Sequence, residues 1–393
     1  MEEQFIVLRG APVSTRDSFL GPLSLPGTAG PVVGGLSVEV EDVERSAIST
    51  ITRSPDVLAV APVIPMKLIA PLAEDAPADA AGPQVAWGVR AVGADTSPFT
   101  GQGIVVAVLD TGIDATHPAF AGVEIVQADF TGEGNGDQDG HGTHCAGSIF
   151  GRSTDGGTRI GVAPGVTKAL IGKVLGNEGG SSLAIVNAIQ WALENGANVI
   201  SMSLGIDFPG LVDRLVRSGM PTEAATSRAL EGYRANVQLF ERMASLVKTM
   251  GSFARPAVLV AAAGNESRRP EFEIAVAPPA VSDGFISVAA LGEGRDGFTV
   301  APFSNTLANV SGPGVKILSA APGGGYRMLS GTSMATPHVA GVAALWAEKL
   351  RRDGILSGPF LTAQLLASGT YQGIAGGFDP FDVGSGMVRA PQM

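Results

Sequence analysis

The chain has 393 residues, 45% hydrophobic and 16% charged, with 26 Lys and Arg against 37 Asp and Glu for a formal charge of −11. That apolar content supports a large core and excludes global disorder, and the negative field disfavours a nucleic-acid backbone as partner. A single cysteine excludes an internal disulfide, and no run reaches the roughly 20 apolar residues of a membrane-spanning helix.

Met1 is followed by two acids rather than a basic and then apolar stretch. As it stands the chain therefore reads as cytoplasmic, or as secreted if a signal peptide has been removed. Residues 5–8 and 36–40 read as short strands, 43–52 as a short helix and 57–63 as a further strand. Between them, Gly, Pro and Ser make 10–35 mostly loop. Residues 70–83 (APLAEDAPADAAGP) have the Ala, Pro and acid content of a linker. Three units follow: 1–69, the linker 70–83, and 84–393.

In the long third unit, apolar runs at 104–109, 168–174, 199–202, 257–262 and 285–290 alternate with helical patterns. Near-continuous apolar strands separated by helices predict an α/β fold, a mostly parallel sheet with helices on both faces. Chemistry in such sheets gathers at the carboxyl ends of the strands. Residues 206–255 read as a helical insertion. From Pro221 to Met250, Ala229, Tyr233, Val237, Phe240, Ala244, Val247 and Met250 form one stripe at three- and four-residue steps. A helix packed on the body and a helix docking a partner both fit that stripe.

Four short motifs carry chemistry. Asp110-Thr-Gly ends the strand at 104–109. Taken alone it suits an aspartic protease, which needs a second carboxylate and hence a dimer here, or an Asp bonding its own turn. In Asp139-Gly-His141-Gly-Thr-His144-Cys145, two histidines share a helix face; a general base and a metal pair are both open. Ala262-Ala263-Gly264-Asn265 follows another buried strand and aims an amide where an oxyanion would develop. Gly331-Thr-Ser333 opens an apolar helix, so Ser333 is either a helix cap or a nucleophile.

In this order the four motifs resemble the subtilisin-like serine proteases (subtilases), over about residues 85–390. The resemblance implies a serine endopeptidase made as a zymogen, acting on extended polypeptides without a required cofactor. It assigns Ser333 as nucleophile, His141 as general base and Asp110 as its orienting carboxylate, the subtilisin chain order of a triad. Asn265 and the Ser333 N–H form the oxyanion hole. Gly179, Gly180, Ser181 and Ser182 match one substrate-pairing strand, and Ser203, Leu204 and Gly205 the other. Ala262, Ala263 and Gly264 match the floor of the P1 pocket, with Glu266 at its rim.

The first unit resembles the family's propeptide, a small α+β ferredoxin-like domain that inhibits the cleft. That match lays residues 66–69 in the cleft with Ile69 near P1. Ala119 stands where relatives often supply a calcium ligand, leaving Asp137, Asp139 and Asp155 as a hard-cation site for a structural Ca2+. Pro278-Pro279-Ala280 matches a turn with a cis bond before Pro279. Cys145, four residues after His141, is a small buried residue or lies directly beneath the imidazole. A non-catalytic binding module and a maturation protease for one partner remain the alternatives of function.

Overall fold

Residues 3–10, 36–74, 84–153, 157–253 and 256–392 are described in the computed structural model. Most of the loop expected over 10–35, residues 75–83 of the linker, and Asp155 lie outside them.

The first unit contains β1 (Glu3–Gly10), β2 (Leu36–Val43), α1 (Arg45–Ile51) and β3 (Val57–Pro62). Its sheet runs in the order β2-β1-β3, antiparallel throughout, with α1 between β2 and β3, so its described part is α+β. Phe5, Ile6, Val7 and Leu8 are buried, because β1 is the middle strand. Two short strands follow, β4 (Pro65–Leu68) and β5 (Leu72–Glu74). The second lies inside the stretch whose composition reads as linker.

The larger unit continues with α2 (Trp87–Ala91), β6 (Val105–Asp110), β7 (Glu124–Asp129), α3 (His141–Phe150), β8 (Lys168–Lys173), β9 (Gly180–Ser181) and α4 (Ser182–Glu194). Next come β10 (Val199–Met202), β11 (Leu204–Ile206), α5 (Phe208–Arg217), α6 (Thr222–Phe253), β12 (Val258–Ala262), β13 (Phe285–Gly294), β14 (Gly297–Val300) and β15 (Val310–Pro313). The chain ends with β16 (Ile317–Ala321), β17 (Gly325–Ser330), α7 (Thr332–Arg352), α8 (Gly358–Ala367) and α9 (Pro380–Val383).

The central sheet has the order β14-β13-β12-β10-β6-β8-β7, with β15 also on β13. All its pairings are parallel except the β13–β14 hairpin. Strand β6 shows why its sequence is apolar throughout. Val106 and Val108 enter one core with Cys145, Ile149 and the α7 residues Val339 and Leu345. Ala107 and Leu109 enter the other with Ile185 and Ile189 of α4 and Phe240 of α6. Alternate side chains thus feed two cores on opposite faces.

Helix α6 carries the stripe expected around 221–250, and it packs on the body. Phe240, Met243, Ala244 and Val247 are buried in the second core. That same core includes Ile6, Leu8, Ala61, Ile64 and Met66 of the N-terminal region. At the contact, Asn236 is fully buried and its Nδ2 donates to the Pro62 carbonyl at 3.0 Å. Truncating a buried anchor such as Phe240 to Ala costs about 3–5 kcal/mol in cores of this kind.

Candidate active site

Asp110 is the last residue of β6, at the carboxyl edge of the sheet, and is 1% exposed. Its Oδ1 accepts from the Thr111 N–H at 2.8 Å and lies 2.7 Å from Nδ1 of His141. His141 opens α3 and is fully buried. The helix can start there because Gly142 lies against the turn after β6: a Cβ on it would fall 2.1 Å from the Gly112 carbonyl oxygen. Any larger residue would push His141 away from Asp110.

Burial alone would lower the His141 pKa; the Asp110 charge, with the adjoining Cys145 sulfur, outweighs it and holds the imidazole well above its usual value. His144 is different. Burial, then repulsion from His141, pushes it down to about 3, and its Nε2 faces the Ile317 carbonyl at 3.0 Å. His144 therefore stays neutral, its Nε2 is engaged by the Ile317 carbonyl, and among the described residues it shares no cluster of ligand atoms with His141.

Asp110, His141 and Cys145 bring ligand-type atoms within 4.8 Å of one another. Within this group Asp110 Oδ1 closes directly on His141 Nδ1, and burial raises the thiol. The Cys145 Sγ sits 3.7 Å from His141 Nδ1 and 3.4 Å from the Ser333 carbonyl oxygen. The sulfur is therefore packed against the imidazole.

Ser333 is the second residue of α7, whose amino end points at the cleft. Asn265 follows β12 across Gly264, which adopts a left-handed φ of 116° that suits glycine. Its Oδ1 accepts from the Thr332 N–H at 2.8 Å and from the Thr332 hydroxyl at 2.9 Å. With the oxygen held twice, Nδ2 is turned into the cleft. This orienting role of Thr332 had no signal in the sequence beyond adjacency to Ser333.

The cleft holds the chain's own residues 65–70. Strand β4 lies between β9 and β11, antiparallel to both. Pro65 pairs with Ser181 and Met66 with Gly180; on the other side Met66 pairs with Ile206, Lys67 with Gly205 and Leu68 with Leu204. The Ile69 N–H donates to the Ser203 carbonyl at 3.4 Å. Ser182, the last residue of that expected pairing segment, exchanges two bonds with Ile64, at 2.9 Å and 3.1 Å. Gly179 bends back on Gly176, and Ser181 also caps α4. Ile69 is 4% exposed, Ala262, Ala263 and Gly264 are buried, and Glu266 is exposed at their edge. The Ser333 hydroxyl donates to the Ile69 carbonyl at 2.9 Å, and Asn265 Nδ2 donates to the Ala70 carbonyl at 3.0 Å. Beyond Ala70, β5 pairs antiparallel with β17 from Leu72 opposite Ser330 to Glu74 opposite Met328.

Of the three carboxylates of the expected cation site, Asp155 lies outside the described residues, and the other two bond the surrounding chain. Asp137 spends its carboxylate on the Thr111 hydroxyl, the Gly140 N–H, and both the N–H and hydroxyl of Thr143. Asp139 accepts from the His141 N–H. These carboxylates cap the turn that carries His141, a use that charge spacing alone does not distinguish from ligation. The bond between Pro278 and Pro279 is cis as expected, and that between Arg269 and Pro270 is cis as well.

A parallel α/β sheet whose carboxyl edge gathers an Asp–His pair, a Ser in the first turn of a helix, an aimed Asn amide and a strand-pairing cleft defines a serine hydrolase that handles extended peptides. Residues 101–365 match the Subtilase family. A subtilisin of Bacillus pumilus is 33% identical over 303 residues, covering 72% of this chain and 92% of that protein. Subtilisin DY of Bacillus licheniformis is 33% identical over 314 residues, covering 78% and 97%. An intracellular serine protease of Paenibacillus polymyxa is 35% identical over 279 residues, covering 68% and 74%. The chain belongs to the subtilase family and is a subtilisin-like serine endopeptidase, a class that needs no cofactor for catalysis. Among the described residues no helix is long and apolar enough to cross a membrane.

Proposed function

We propose that this chain is a zymogen whose residues 1–69 inhibit the cleft, and that Ser333, His141 and Asp110 cleave the bond between Ile69 and Ala70. Ser333 Oγ attacks the Ile69 carbonyl carbon while His141 takes the hydroxyl proton. The resulting oxyanion is received by Asn265 Nδ2 and the Ser333 N–H at the amino end of α7. The carbon–nitrogen bond then breaks as His141 passes its proton to the Ala70 amine. Water hydrolyses the acyl-enzyme by the same route in reverse. Asp110 keeps the His141 proton on Nδ1 and stabilises the imidazolium. Extended polypeptide substrates bind as β4 does, between Gly180–Ser181 and Leu204–Ile206, with P1 against Ala262, Ala263 and Gly264. We place the protein in the cytoplasm, alongside the intracellular proteases among its relatives.

The observation that carries this reading is the register of β4, which brings the Ile69 carbonyl to within 2.9 Å of Ser333 Oγ. A fluorophosphonate probe tests the nucleophile. It is expected to label Ser333 once residues 1–69 have been removed, and not to label the intact Ser333→Ala protein. Labelling of another residue, or none in processed protein, overturns the assignment.

A further inference from the structure

Strand alternation, continued to Ile69 just beyond β4, places Lys67 and Ile69 on the same side, two residues apart. Lys67 pairs with Gly205, so it occupies the position two residues before the P1 side chain. Its Nζ sits between two carboxylates, 3.4 Å from Asp207 Oδ1 and 3.7 Å from Glu266 Oε1. Both acids are held by the enzyme rather than by the lysine. Asp207 caps α5 by accepting from the Gly210 N–H. Glu266 Oε2 accepts from Nδ2 of the buried Asn305 at 2.9 Å, and Asn305 Oδ1 accepts from the Glu266 N–H at 3.1 Å. Asn305 thereby turns the free Oε1 toward Lys67. The adjoining cleft cavity of about 510 Å³ is also lined by Glu133, Asp139 and Glu178, against Lys173 and Arg214. Of those two cations Lys173 is paired with Glu133 at 3.4 Å.

From this we infer that Asp207 and Glu266 form a binding site for an ammonium or guanidinium side chain at P3, so that the enzyme selects substrates with Lys or Arg two residues before the cleaved residue. The inference rests on reading the cleft occupant as a substrate mimic. Lys67 is then the first ligand of a site that later reads substrates. The lysine side chain is 40% exposed and the acids 25% and 41%. Screening therefore limits the selectivity to a modest factor that falls as salt rises.

Two experiments test it. Processed enzyme is given peptides that differ only at P3, with Lys, norleucine or Glu. The Lys peptide is expected to exceed norleucine about fivefold in kcat/KM, carried mainly by KM, with Glu poorest. The ratio should shrink toward one at high salt, in Asp207→Asn and in Glu266→Gln. Cleavage of all three at equal rates overturns the P3 site while leaving the triad intact; undiminished cleavage by processed enzyme carrying Ser333→Ala overturns the triad instead. The second experiment needs no activity. In the full chain carrying Ser333→Ala, Lys67→Glu should speed hydrogen exchange at the amides of residues 66–69 several-fold more than Lys67→Met, and adding Asp207→Lys to Lys67→Glu should restore protection. Equal exchange in Lys67→Glu and Lys67→Met overturns the inference.

Discussion

The hydroxyl of Ser333 donates to the carbonyl oxygen of Ile69, and not to the imidazole of His141, whose Nε2 has no hydrogen-bond partner. The proton that His141 takes in the proposed mechanism is thus engaged by the carbonyl oxygen. Asn265, the proposed oxyanion donor, is at the next carbonyl, that of Ala70. The cleft is occupied in the right register, with both polar groups one contact away from the arrangement that reacts.

The amide of Asn265 is aimed by Thr332, so the two residues should fail in a graded way. Asn265→Ala is expected to lower kcat by about 10²- to 10³-fold with little change in KM, as loss of one oxyanion donor does. Thr332→Val keeps the N–H that holds Oδ1 and loses only the hydroxyl; it should lower kcat by about tenfold, and Thr332→Ser should restore it. Steady-state kinetics on one peptide checks all three. Full activity in Asn265→Ala would remove that residue from the oxyanion hole.

Much of this site was legible in the sequence because its parts are short strings at strand ends. The runs around Asp110, Ala262 and Met202 end where the strands do, since a buried parallel strand must be apolar on both faces and stops at the first polar turn. The pairing of Leu72, Ala73 and Glu74 with β17 was not legible. Their composition is that of a linker, and it is the free edge at Met328–Ser330 that makes them a strand. The four bonds that Asp137 makes to Thr111, Gly140 and Thr143 were not legible either, because they depend on where the turn after β6 meets the start of α3. Lys67, Asp207 and Glu266 come from three segments that only the fold brings together.

The pH dependence follows from the buried Asp110–His141 pair. Imidazolium cannot accept the serine proton, and the pair holds His141 above the ordinary value of about 6.5. Autocleavage of the full chain should therefore be slow in acid and rise through a limb centred above about 6.5. The same raised value implies that the charged pair stabilises the fold below the ordinary histidine pKa, a contribution lost as pH rises through the raised one. A flat rate between about pH 5 and 9 would remove His141 from the mechanism.

Cys145 touches both His141 and the backbone of Ser333 without a chemical role in the proposed steps. Cys145→Val should retain most activity, and a small mercurial should inactivate the wild type but not this variant. Burial to 1% exposure makes that reaction slow and selective for small reagents. A Cys145→Val protein as inactive as His141→Ala would show that the thiol takes part in the chemistry.

The most direct test is the intact mass and amino-terminal sequence of purified wild type and Ser333→Ala. Processing by the enzyme itself should give a chain beginning at Ala70, while Ser333→Ala, reduced about 10⁶-fold in activity, should keep all 393 residues. A new terminus elsewhere in the wild type, or the same cut in Ser333→Ala with no other protease present, would contradict cleavage of the Ile69–Ala70 bond by Ser333.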